Sequence, residues 1–500
     1  MYRSNPDGGP DVKKRRKSVR EQIGNLSRRE LLKLFGISVG ASLAGEAAWP
    51  QKIQAQSRKV TPRKTARNVL FIQNCGAMSP PECLDFKETR FTAKDLDIQT
   101  VNSDFQISKT IFPNYEKWAP RASLVRSFYE NSLVHASAQY HTQAGRALNA
   151  AILREIPAFG SVIASELESE RRSSDTFPTF ISVDLWNARC PQIGSGMLHP
   201  RFAGLDLNTA SVFDAFGAGE DDSAAKNSAL SERWEVLNRM SEVSPSGGIG
   251  GKASEYKAHY EYAYKILTDS RFKKVLSLSD QDKARYGVPK DRGTCKIGLS
   301  MLIARNLLAA DAGARFIWVA NTYNGGNGPA DNHDQLYGRG ALAPKGAQLS
   351  IYESGPRLDA AFSSLIEDLS KMPGKESGKT LLDETMVCMI HEFGRNPEMN
   401  SNGGRDHWGP CFANLFMGGG VKPGRVIGKT DGYKVTDVGW QFKQQPMMDH
   451  VVSTIYSVLG IDWSKKIVDT PSGRAYEYQQ TAPLGGPAFI PQTPIEELFV

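Results

Sequence analysis

The chain predicts an α/β fold with a mostly parallel central sheet and helices on both faces, and three observations carry that expectation. Short apolar, β-leaning runs recur at residues 68–73, 177–183, 315–320, 385–390 and 412–417, each about the length of one buried strand. Segments with helical apolar spacing stand between some of them, at 298–310 and 357–371, and strand–helix–strand order folds into parallel crossovers. Several runs also empty into loops of Gly, Asn, acidic and imidazole groups. The carboxyl edge of an open sheet is where such loops bind ligands. Five hundred residues at 40% apolar content suffice for a sizeable core, which excludes a wholly disordered chain.

Residues 1–65 stand outside that fold as a disordered leader. Through Ala55 the chain carries eleven Lys or Arg against five Asp or Glu, a net of +6 out of +7 for the whole chain. The remainder is therefore nearly neutral. It has no basic run with interleaved aromatics, which argues against a nucleic-acid partner. Arg28-Arg29-Glu30-Leu31-Leu32-Lys33 precedes a mild apolar run at 34–48, which resembles a twin-arginine export signal. The expected partner is the twin-arginine export machinery and the expected location periplasmic, with cleavage after Ala55 or retention as an anchor. No apolar run reaches the roughly 18 residues of a spanning helix. Six scattered cysteines show no zinc-knuckle spacing, and Cys75 with Cys83 is the nearest pair for a bridge.

The first strand, 68–73, enters Asn74-Cys75-Gly76-Ala77-Met78-Ser79-Pro80-Pro81-Glu82, which suits a nucleophile or metal loop and equally an ordinary turn. His135, Ser137 and His141 follow in a polar stretch that leads into a helix, and of the two histidines His141 is the candidate contact. Residues 215–252 are polar and rich in small residues, a surface insertion around a helix at 231–241. Its Gly251-Lys252 lacks the first Gly and the final Ser or Thr of a phosphate loop.

The strand at 315–320 exits through Gly325-Gly326-Asn327-Gly328-Pro329-Ala330-Asp331-Asn332-His333-Asp334. Asp331 and His333, two apart on such a loop, can turn an oxygen and a nitrogen toward one divalent cation. The strand at 385–390 exits through His391 to Trp408, a loop holding Glu392, Arg395, Arg405, Asp406 and His407. A crossover between these strands brings both loops to one edge. His391-Glu392 does not begin a zinc-protease helix, because Arg395 stands where the second His is needed. A helix at 451–459 opens on Asp449-His450 and closes at Gly460, and residues 481–500 form a tail.

Glu392-Phe393-Gly394-Arg395, Gly403-Gly404-Arg405-Asp406-His407-Trp408, Gly418-Gly419-Gly420, Thr430-Asp431 and the His450 helix together resemble the domain-of-unknown-function 1501 family. These are exported proteins related to the alkaline phosphatase and sulfatase superfamily. The resemblance implies an alkaline-phosphatase-like domain over 66–480. Asp331, His333 and His450 would ligate one divalent ion, and Glu392, Asp406 and His407 would ligate or surround a second, with Zn, Mn, Ca or Mg as possible metals. It points to Ser79 as nucleophile, with Glu82 and Asp85 where related chains often carry two Asp. The oxidised-cysteine sulfatase signature is missing, which argues against that chemistry.

The expected function is metal-dependent hydrolysis of phosphate or sulfate esters, on a small molecule or a polysaccharide. Ser79 or a water would attack, Arg395 or Arg405 would hold non-bridging oxygens, and His141 would assist the leaving group. A catalytically inactive envelope binding or assembly protein is the alternative, and a lyase acting on polyanionic polysaccharide is a third.

Overall fold

The computed structural model describes residues 53–54, 60–216, 231–232, 234–236, 239, 264–289, 296–322, 328–329, 331–338, 349–479 and 493–500. The twin-arginine motif, Ala330, Cys295, most of the expected 215–252 insertion and the first part of the tail lie outside the described residues.

Among the described residues eight strands form the main sheet: β1 (Asn68–Asn74), β2 (Ser123–Phe128), β3 (Phe180–Val183), β4 (Leu205–Leu207), β5 (Phe316–Asn321), β6 (Thr385–His391), β7 (Phe412–Met417) and β8 (Val426–Ile427). Their order across the sheet is β8-β2-β7-β6-β1-β5-β3-β4. β7 pairs antiparallel with both neighbours, and every other pairing in the sheet is parallel. The central strands are buried on both faces, which explains why they read as nearly unbroken apolar runs.

Alternation along β1 divides the core. Leu70 and Ile72 belong to one cluster, with Met301 and Leu302 of α3 (Ile297–Ala310) and Phe362 and Leu365 of α4 (Ile351–Lys371). Val69 and Phe71 belong to the other. That second cluster holds Tyr140 of α1 (His135–Ala144), Phe159 of α2 (Phe159–Glu166) and Val451 and Ile455 of α5 (Met448–Leu459). Phe71 anchors it, with its ring 4.2 Å from Trp318 and 5.6 Å from Phe159. The mostly parallel sheet with helices on both faces is therefore the architecture the sequence predicts.

Three details differ from expectation. α4 begins six residues before the expected 357, because Ser350 and Glu353 form a capping box and Pro356 is tolerated within the helix. β2, β4 and β8 carry no strong strand pattern, and the sheet supplies their pairing. The Cys75–Cys83 bridge is not formed: both thiols are free and buried, Cys75 packing in the Phe71 cluster and Cys83 in the Leu70 cluster.

Candidate metal centre

The parallel register lines up the carboxyl ends of three central strands, with Asn74 of β1 opposite His391 of β6 and Asn321 of β5. Asn321 donates to Asn74 at 3.0 Å, and Asn74 Nδ2 lies 3.3 Å from His391 Nε2. Burial pushes His391 down to about 4, so it is a neutral part of this polar floor. The loops after β1, β5 and β6 leave from it together. Gly76, at φ +92°, lies directly against the Asp331 loop: a Cβ there would stand 2.4 Å from that of Asp331. A glycine is required at this approach.

His135, the first residue of α1, meets these loops at the same edge of the sheet. One ligand atom each from His135, Asp331 and His407 falls within 4.8 Å of the others. His135 Nε2 is 3.5 Å from Asp331 Oδ2, and its Nδ1 is 2.5 Å from Glu392 Oε1. Glu392 Oε1 also accepts the backbone N–H of Gly76 at 2.9 Å. The rings of His135 and His407 meet edge to face at 4.4 Å, and the buried Phe393 ring lies against both.

Hydrogen bonding decides which nitrogen His407 offers. Its Nδ1 lies 2.6 Å from the carbonyl oxygen of Leu133, which can only accept. The proton therefore sits on Nδ1, and Nε2 presents a lone pair. Burial and the neighbouring Arg395 charge push His407 down to about 4, so the ring is neutral near pH 7. His407 Nε2 and Glu392 Oε2 are buried with no hydrogen-bond partner, a combination native proteins avoid unless something else binds there.

The electrostatics favour positive charge at this point. Burial lowers His135, yet hydrogen bonds to Asp331 and Glu392 outweigh it and lift the group to about 9. Burial raises Asp331, and the His135 hydrogen bond and Arg395 charge overcome it, bringing the carboxyl to about 2. Two imidazoles and a carboxylate, with the orphaned Nε2 of His407 among them, fit a divalent cation.

The other expected site residues fall in several places. His333 lies on the open side, 37% exposed, with its ring 5.0 Å from that of His407 and its Nε2 3.5 Å from Asp406 Oδ1. Asp406, 59% exposed, accepts from Asn400 Nδ2 at 2.9 Å. His450 is buried in the first turn of α5, where its Nδ1 accepts the Met447 N–H at 2.9 Å and its ring packs on Trp440. His141 lies six residues beyond His135 on another face of α1, between Glu130 at 2.7 Å and Asp449 at 2.9 Å.

Ser79 is fully buried and its hydroxyl donates to Glu82, which also accepts from Arg405 at 2.6 Å and Tyr337 at 2.8 Å. Asp85 is ion-paired with Lys87 at 2.6 Å and Arg126 at 3.2 Å. Arg395 is fully enclosed. It donates to Asp331 and to the carbonyls of Gly76, Ala77 and Arg405. Arg405 donates to Glu82 and to the carbonyls of Asn396 and Pro397.

His135 is the member of the group that sequence reasoning passes over in favour of His141. The missing signal was β2. Once Ser123–Phe128 is seen as a strand parallel to β6, residues 129–135 become one more loop on the ligand-bearing edge.

The chain matches the family model described as "Protein of unknown function (DUF1501)" over residues 66–483. No curated protein matches it. Among solved structures it is similar to the lipoteichoic acid synthase LtaP from Listeria monocytogenes, at 10% identity and TM-score 0.35, covering 86% of this chain and 78% of that one. A sulfatase from Pseudoalteromonas sp. is similar at 11% identity and TM-score 0.35, over 80% of this chain and 68% of that one. A protein in the alkaline phosphatase superfamily from Vibrio parahaemolyticus is similar at 10% identity and TM-score 0.32, over 89% and 78%.

Proposed function

We propose that this chain, which belongs to the family described as protein of unknown function (DUF1501), is a metal-dependent hydrolase of phosphate or sulfate esters. The observation that carries the reading is the convergence of His135, Asp331 and His407 within 4.8 Å, with His407 Nε2 buried and lacking a hydrogen-bond partner. His135, Asp331 and His407 would hold the ion. Two imidazoles favour zinc over manganese, calcium or magnesium, which suit oxygen shells better.

A divalent cation bound there would offset charge on the transferred group and lower the pKa of an attacking water. The chain's own groups orient the reaction. His333 and Asp406 form the solvent-facing wall, where His333 is placed to pass a proton to a leaving group. Asp406, held by Asn400, is placed to support a second ion or to accept from a substrate hydroxyl. Arg395 acts by holding Asp331, since its guanidinium is spent on protein oxygens. His141 fixes Glu130 and α5. Direct attack by water fits better than attack by Ser79, which is enclosed and bonded to Glu82.

The enclosure of Ser79 and Arg395 also favours a second reading, an envelope binding or assembly protein that keeps the cation without turnover. Elemental analysis of purified wild type, Asp331→Ala and His407→Ala, followed by a panel of aryl phosphate, phosphonate and sulfate esters, separates them. About one equivalent of transition metal in wild type, lost from both variants, with metal-dependent release of phosphate or sulfate, supports the hydrolase. Metal without turnover across the panel supports the binding protein, and a metal-free wild type that ignores added metal removes both.

Export and a periplasmic location belong to the same proposal, supported by Arg28-Arg29, Lys33 and the apolar run that follows. Replacing both arginines with lysine should strand the protein in the cytoplasmic fraction. An unchanged distribution would remove the twin-arginine route.

A further inference from the structure

Resting on the metal reading above, we infer that Glu392 is a positioning residue that fixes His135, and not a metal ligand. Glu392 sits behind the ring. Its Oε1 is 2.5 Å from His135 Nδ1, whereas the nitrogen facing Asp331 is Nε2, at 3.5 Å. The carboxylate is itself fixed, because the same Oε1 accepts the backbone N–H of Gly76 at 2.9 Å. Gly76 is in turn wedged against Asp331.

An imidazole that donates Nδ1–H to a carboxylate keeps its Nε2 lone pair for a metal, and the anionic partner raises the basicity of that nitrogen. His407 reaches the same orientation by a different route, donating Nδ1–H to the Leu133 carbonyl at 2.6 Å. His135 thus presents Nε2 toward Asp331 with a charge behind the ring, and His407 is left with a free Nε2 lone pair backed by a neutral carbonyl. The charged backing is the stronger lever. The competing role for Glu392 is direct ligation through Oε2, which is buried and lacks a hydrogen-bond partner.

A double-mutant cycle with Zn²⁺ alone as the probe distinguishes these roles. Dissociation constants would be measured by competition with a chromogenic chelator on the full chain, with circular dichroism confirming the fold. Glu392→Gln keeps an acceptor and removes the charge, and should weaken Zn²⁺ binding about tenfold, with Glu392→Ala approaching about a hundredfold. In a His135→Ala background the same changes should cost less than about twofold, because Glu392 acts through that ring. An undiminished loss in the His135→Ala background would establish direct ligation and overturn the assignment while leaving the metal site standing. A wild type that takes up no Zn²⁺ would overturn the metal reading and this assignment together. One measurement needs no variant: long-range ¹⁵N–¹H spectra of the Zn²⁺-loaded wild type should place the His135 proton on Nδ1. A proton on Nε2 would overturn the inference.

Discussion

Arg395 donates from Nη2 to Asp331 Oδ1 across 2.6 Å, and both side chains are almost wholly enclosed. Its remaining donors go to the Gly76, Ala77 and Arg405 carbonyls, so one guanidinium ties together the loops after β1, β5 and β6. Arg395→Met would leave Asp331 charged and buried without this partner, a loss of about 3–5 kcal/mol. Arg395→Lys should recover little, because a single ammonium cannot replace a planar fork spread over four acceptors. Urea unfolding measures both. A lysine variant as stable as wild type would show that the network is dispensable.

Gly76 sets the distance between the first loop and the metal centre. Gly76→Ala places a methyl 2.4 Å from Asp331 Cβ at φ +92°, and should cost about 1–3 kcal/mol from overpacking, in addition to backbone strain. Gly473→Ala is the control: its φ is +72° and nothing stands within 4 Å of the added methyl. Both substitutions share the strain, and only Gly76→Ala should also lose bound metal. Equal stability loss in the two variants, with metal retained, would show that the Asp331 loop yields to the methyl.

The fold was legible where burial on both faces made strands continuous and apolar, as in β1, β5 and β6. It was not legible at β2, whose Ser123, Arg126 and Ser127 break the apolar run, or at β4 and β8, which are short and take their conformation from the sheet. The same division runs through the site. Asp331 and His407 stand in conspicuous loops after strands that sequence pattern identifies, and the structure brings them together. His135 follows the strand that pattern does not identify. His141 looked equivalent in sequence, but six helical residues turn it toward Glu130 and Asp449. The two arginines show a further limit: composition marks them as oxygen binders, and only the packed structure reveals that the oxygens are the protein's own.

The Glu130–His141–Asp449 chain predicts a dependence of stability on alkaline pH. Burial alone would lower His141, but the Glu130 charge and hydrogen bonds to Asp449 and Glu130 raise it to about 10. The unfolded value is about 6.5. A raised folded value means that the contribution is fully present below about 6.5 and is lost as pH rises through about 10, with a slope of up to about 1.4 kcal/mol per pH unit. Asp449 works in the opposite direction. Burial raises it and His141 more than reverses the effect, so its contribution fades as pH falls below the usual carboxylate range. His141→Gln should flatten the alkaline limb of urea midpoints measured from neutral pH upward. An unchanged limb would assign that pH dependence to other groups.

Ser79 tests whether a covalent route exists. Its hydroxyl is enclosed and donates to Glu82, whose other carboxylate oxygen accepts from Arg405 and Tyr337. A substrate could reach Ser79 Oγ only after this buried knot opened, and opening it would expose the Arg405 ion pair. Ser79→Ala should therefore destabilise the fold by about 1–3 kcal/mol, because Glu82 loses a buried donor. Turnover by attacking water should survive within about threefold, since the hydroxyl then makes no contact in the transition state. Loss of a nucleophile acts on a different scale, on the order of a thousandfold or more. The kcat/KM of Ser79→Ala on the best ester in the panel, measured well below its unfolding temperature, decides between the two. A collapse with metal content intact would make Ser79 the nucleophile and require the Glu82 loop to open during catalysis.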